Sequence, residues 1–125
     1  MIKEILFYIA SVMTLGWGIA HLFPTKSVVR GFGEISEDNR NIIRMEWITE
    51  GVALIFLGIL VVAITLFGDI QSLTARIAYA AAVFMLIAMT LVSVQTGFKV
   101  NFLPYKLCPF LFGTSALLLF IGVII

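Results

Sequence analysis

Charge is scarce in this chain. Asp, Glu, Lys and Arg make up 12% of its 125 residues, about half the share usual in a soluble domain. The formal net charge is only +1, which argues against nucleic acid or an acidic soluble partner. Cysteine occurs once, as Cys108, so neither an internal disulfide nor a two-cysteine redox relay can form within one chain. Histidine also occurs once, as His21. A metal site would have to draw on that imidazole and two glutamates, without any recognised zinc spacing. A haem would find one axial ligand and no attachment motif. No metal and no cofactor are therefore expected. Nucleophilic catalysis lacks a Gly-x-Ser-x-Gly elbow. Gly31-Phe32-Gly33 is too short for a phosphate loop and follows no strand; it reads as a flexible connection.

What the chain has is apolar length. Hydrophobic residues form 62% of it and the mean hydropathy is +1.14. Four runs, Ile5–Phe23, Trp47–Phe67, Ile77–Gly97 and Leu107–Ile125, contain a single Asp, Glu, Lys or Arg, which is Glu50. About 20 apolar residues cross a hydrocarbon core as a helix. A backbone in lipid must satisfy its own hydrogen bonds, so such runs should be helical. The expectation is one all-α domain over residues 1–125, an integral membrane four-helix bundle with antiparallel up-down order. The first run follows Met-Ile-Lys but ends in His-Leu-Phe-Pro rather than a small-residue cleavage site, so it reads as a retained helix. Lys26, Arg30, Arg40, Arg44, Lys99 and Lys106 fall in the first and third connections, against Lys3 and Arg76 on the opposite side. Positive charge thus places those connections in the cytoplasm and both termini outside.

Local signals refine this order. Pro24 stops the first helix. Ser36-Glu37-Asp38 reads as a capped helix start, with acids suited to the helix dipole. The second spanning helix should therefore begin before the membrane, with an amphipathic N-terminal extension carrying Ile42, Ile43 and Met45. Gly68-Asp69 ends it, and Ser72 or Thr74 caps the next. So short a connection predicts an antiparallel hairpin. Pro109 is expected in the first turn of the last helix, where its missing donor is harmless; any deeper and it kinks the helix. Gly16 with Ala20, Gly51 with Gly58, Ala78 with Ala82 and Gly113 with Ala116 are candidates for close helix contacts. Packing within the bundle accounts for them, and a homo-oligomer stays open.

The polar residues gather at one end. His21 closes the first run and Glu50 lies just inside the second, both about 3–6 Å within one boundary at ~1.5 Å rise per residue. Glu46 is one turn from Glu50 on the same face, and Trp17 one turn from His21. Ser93, Gln95 and Thr96 end the third run at this level, and Tyr105 precedes the fourth. Two readings stay open. One is a pocket of Trp17, His21, Glu46, Glu50 and Gln95 that binds the polar head of a lipophilic ligand or handles a proton. The other is a hydrogen-bond clasp joining the first two spanning helices, with Arg40 or Arg44 folded onto Glu46. An acid inside a membrane is costly enough to demand one or the other. Trp47 and Tyr105 read as interfacial belt residues. Trp17 lies deeper, and its indole N–H needs a partner.

Two segments resemble the DoxX-like group of small four-helix membrane proteins. Gly16-Trp17-Gly18-Ile19-Ala20-His21-Leu22-Phe23-Pro24 is similar to that group's glycine-rich first helix ending near a proline. Met45-Glu46-Trp47-Ile48-Thr49-Glu50-Gly51, continuing to Gly58, is similar to its acid-then-glycine pattern and aliphatic run. The resemblance covers the whole chain loosely. It implies a four-span fold, an accessory role near sulfur or quinone redox chemistry or in membrane-protein assembly, and Glu46 or Glu50 as the family-type acid. It leaves the long charged first connection unexplained. Three functions follow as expectations: an accessory or binding module for a membrane partner or a quinone- or lipid-like molecule, a small enzyme using His21 and Glu50 as acid and base, or a proton-coupled transporter carrying protons on Glu50.

Overall fold

Sequence this apolar offers the backbone few side chains to bond with, and the chain answers with helices throughout. The computed structural model describes residues 1–125. Its α-helices are α1 (Ile2–Leu22), α2 (Thr25–Gly31), α3 (Glu37–Phe67), α4 (Leu73–Thr96) and α5 (Leu103–Ile124), with a 3-10 turn at Gly97–Lys99 and no strand. Four of them, α1, α3, α4 with its 3-10 turn, and α5, are long and apolar enough to cross a membrane, the pattern of a multi-pass membrane protein. Their outward faces stay apolar as well: Val12, Phe56, Phe84 and Phe110 are all largely exposed. In water such a surface would aggregate; lipid is the solvent it suits.

The helix ends follow from local chemistry. The Ser36 hydroxyl accepts from the Asn39 N–H at 3.2 Å, and the Ser72 hydroxyl from the Ala75 N–H at 3.2 Å, each satisfying a donor at a helix start. The segment expected to be a flexible connection is partly helical. After Pro24 the chain turns directly into α2, with the Val28 N–H donating to the Pro24 carbonyl at 2.9 Å. The turn closes at Gly33, the one residue with positive φ, at 73°, a conformation glycine adopts without a Cβ penalty.

One expectation about the later helices needs correction. α5 begins at Leu103, so Pro104 takes the first turn and Pro109 lies inside the helix. Pro109 cannot donate to the Tyr105 carbonyl four residues back. That carbonyl faces Gly97, where a Cβ would sit 2.5 Å from its oxygen. α3 and α4, joined by a short turn, do not pack tightly along their length. They touch little; α1 packs against α3 and α5, and α4 against α5. The one side-chain hydrogen bond joining them is at the turn, between Thr65 and the Tyr79 hydroxyl at 3.0 Å.

Backbone proximity between α1 and α3 organises the core. The Ser11 hydroxyl donates to the Gly58 carbonyl across the seam at 2.8 Å. A Cβ at Gly58 would meet Leu15 Cβ at 2.7 Å, and one at Gly18 would meet the Ile55 nitrogen at 2.8 Å. Gly51 abuts Leu22 in the same way. Gly18, rather than the neighbouring Gly16, is thus the close-contact glycine of α1; Gly16 has nothing within 4 Å of its Cβ position. Towards the other end, Phe7 stacks on Tyr79 with centroids 4.1 Å apart; both belong to a buried cluster that also holds Leu54, Leu86, Phe112 and Leu119.

Gly58→Val should therefore lower stability by ~1–3 kcal/mol, because it drives a side chain into Leu15. Gly16→Ala should be neutral or slightly stabilising, since it meets open space and alanine favours a helix. Unfolding of both variants in detergent micelles measures the contrast.

Candidate functional site

The seam delivers the end of α1 and the first half of α3 to one place. His21 is buried at the last turn of α1, and its Nε2 lies 3.6 Å from Glu50 Oε2. That distance is within ion-pair range but too long for a hydrogen bond. The tie between the helices is made by another residue. The Trp47 indole N–H donates to the His21 carbonyl at 2.8 Å, and its ring stacks on the imidazole with centroids 3.8 Å apart and planes 17° apart. Trp47 is 8% exposed, so its ring packs within the bundle. The clasp between α1 and α3 exists, but Trp47 rather than Glu50 closes it. No ion pair joins Arg40 or Arg44 to Glu46.

Beside this clasp lies a cavity of about 230 Å³. α1 contributes Trp17 and His21, α3 contributes Trp47 and Glu50, α4 contributes Ser93 and Thr96, and α5 contributes Tyr105 and Cys108. Ser93 and Thr96 donate their hydroxyl protons to the Met89 and Val92 carbonyls, which leaves their oxygens as acceptors. The Cys108 thiol is directed to the Pro104 carbonyl at 3.3 Å. Two ring nitrogens, Trp17 Nε1 and His21 Nε2, are buried with no hydrogen-bond partner. No three residues of metal-ligating type come together.

Of the residues expected to form a pocket, Trp17, His21 and Glu50 line this cavity, whereas Glu46 and Gln95 do not. Gln95 is exposed on another face of α4. Ser93, Thr96 and Gly97 are the inward residues there, and the ~100° step per residue turns Gln95 away. Glu46 is exposed and lines a second, apolar groove of about 470 Å³ between α3 and α4, with Ile42, Ile43, Ala53, Met85 and Met89. This groove exists because α3 and α4 splay. It shares Trp47, Glu50 and Tyr105 with the cavity, so those side chains form the wall between the two spaces. Trp47, Tyr105 and Cys108 are among the lining residues outside the expected pocket. For Trp47 a signal was present: it stands three residues before Glu50, on one helical face with it.

Comparison with family models, curated proteins and solved structures finds no match to this chain.

Trp47→Phe keeps an aromatic ring over His21 but removes the donor to its carbonyl. It should cost about 1 kcal/mol of stability, read as an unfolding shift in detergent. An unchanged midpoint would show that the bond does not hold α1 to α3.

Proposed function

We propose that this protein is a multi-pass membrane protein that binds the polar head of a lipophilic molecule, quinone- or lipid-like, in the cavity beside His21 and Glu50. On this reading it acts as a binding module or accessory subunit for a membrane partner. The observation that carries the reading is the pair of buried, unpartnered ring nitrogens, Trp17 Nε1 and His21 Nε2, on two residues lining one cavity. Buried polar atoms are almost always paired, and a ligand oxygen that reached either nitrogen from the cavity would meet that need. The cavity is smaller than the ~300–1,000 Å³ that encloses a drug-sized ligand. It suits a headgroup, whose tail would lie in the apolar groove between α3 and α4. Glu50, on the wall shared by both spaces, stands where head and tail join.

The bundle in this proposal is antiparallel, up and down, and the start of α3 is an amphipathic extension at the membrane surface. Support comes from the cavity itself, which gathers the C-terminal ends of α1 and α4 with the N-terminal parts of α3 and α5. The distribution of Lys and Arg favours both termini outside and the connections after α1 and α4 in the cytoplasm. The likeness of the two helix junctions to the DoxX-like group supports the accessory role. A second reading, acid–base chemistry on the bound molecule, is favoured by the 3.6 Å approach of His21 to Glu50 beside open space.

Protein purified in lipid nanodiscs and released in a mass spectrometer should carry a lipophile enriched over bulk lipid. Trp17→Phe keeps a ring but removes an N–H that approaches only the Cys108 thiol, a weak acceptor. It should reduce retention about fivefold, one hydrogen bond's worth, with little change in stability; His21→Ala should abolish retention. Finding only bulk lipid, equally in wild type and variants, would refute the reading. Topology is checked separately: alkaline phosphatase fused after Ile125 should be active in a bacterial host, and a fusion at Lys99 inactive.

A further inference from the structure

Between α1 and α3 the chain gathers cations. Lys26 and Arg30 are one turn apart on α2, and Arg40 and Arg44 one turn apart on α3, so each pair shares a face of its helix. All four line one cleft of about 370 Å³, completed by Val29, Gly33 and Glu34. The pairs are held rather than loosely tethered. Val29 is 4% exposed, α2 packs on α3, and Gly33 turns the chain between them. The cleft shares no residue with the cavity beside His21 or with the groove between α3 and α4.

The cations are also unpaired. Acids are plentiful nearby, at Glu34, Glu37, Asp38 and Glu46. Yet the protein's ion pairs within 4.0 Å are those of the N-terminus with Glu4 and of His21 with Glu50. Orienting a membrane protein needs basic residues on one side, which any scatter of them satisfies. It does not require four to converge on one cleft whose single acid, Glu34, pairs with none of them. Charges gathered in this way repel, and an anion among them removes the repulsion. Two guanidinium groups suit the oxygens of a phosphate, which they grip in bidentate fashion.

We propose that Lys26, Arg30, Arg40 and Arg44 form a binding site for the phosphate of an anionic lipid headgroup. Position selects a lipid as the source. α2 follows directly on the end of α1, a helix long and apolar enough to span, which puts the cleft at headgroup level.

The test uses the full chain in phosphatidylcholine nanodiscs doped with phosphatidic acid, with retained lipid counted by native mass spectrometry. Arg40→Gln with Arg44→Gln should cut phosphatidic acid retention by about tenfold or more, given the attraction contributed by each basic residue at a membrane surface. Lys99→Gln with Lys106→Gln removes equal charge outside the cleft and should leave retention within about twofold. Arg40→Lys with Arg44→Lys keeps the charge but loses the fork, and should fall between them. Undiminished retention in the first variant overturns the site. An equal loss in the first two shows diffuse surface charge and also overturns it. Displacement by inorganic phosphate at matching concentration overturns the lipid as its ligand.

Discussion

The close approach of α1 and α3 is the constraint on which the rest of the structure depends. Gly18, Gly51 and Gly58 allow backbone to meet side chain and backbone at distances no Cβ tolerates, and Ser11 fixes the register by bonding to the Gly58 carbonyl. Membrane helices gain little from hydrophobic burial against each other, because lipid is as apolar as a neighbouring helix; packing and hydrogen bonds must serve instead. Once that register is set, His21 and Trp47 have little choice of neighbour. The stacked pair at the end of the seam follows from the glycines further along it.

That end of the bundle separates two kinds of polar group. The Trp47 indole and the His21 carbonyl satisfy each other and hold two helices together. The Trp17 indole and His21 Nε2 have no partner, and Glu50 stands just out of hydrogen-bond reach. One residue, His21, thus belongs to both groups: its carbonyl is bonded, and its ring is stacked by one tryptophan and lines a cavity with another. The stack fixes the ring plane, so the direction of its free nitrogen is determined by structure rather than by a ligand.

Much of this was legible in the residues. The four long helices follow from apolar length alone, and Ser36 and Ser72 announce two helix starts. Trp17, His21 and Glu50 were identifiable because polar groups are rare in such runs and helical spacing places them at one depth. Depth, however, is not direction. Gln95 shares the level of Ser93 and Thr96 but points elsewhere, and Glu46 is displaced to the groove because α3 leans away from α4. The helix α2 was hidden by Gly31 at its end and Gly33 just beyond, although Pro24 offered a start. The splay itself had no sequence signal: a short turn constrains only the ends of two helices, and α1 and α5 compete for their sides.

Pro109 carries a consequence for how the cavity wall can respond. Without an N–H to offer, it leaves the opening turns of α5 fastened to the remainder of that helix by one bond fewer, and the orphaned Tyr105 oxygen rests on Gly97 instead. Tyr105 and Cys108 ride on that weakened stretch, while Trp17, His21 and Trp47 are anchored by the glycine seam. The enclosure is therefore mechanically lopsided, with one stiff side and one compliant side. Any molecule that swells it will bend the head of α5 before it disturbs α1 or α3.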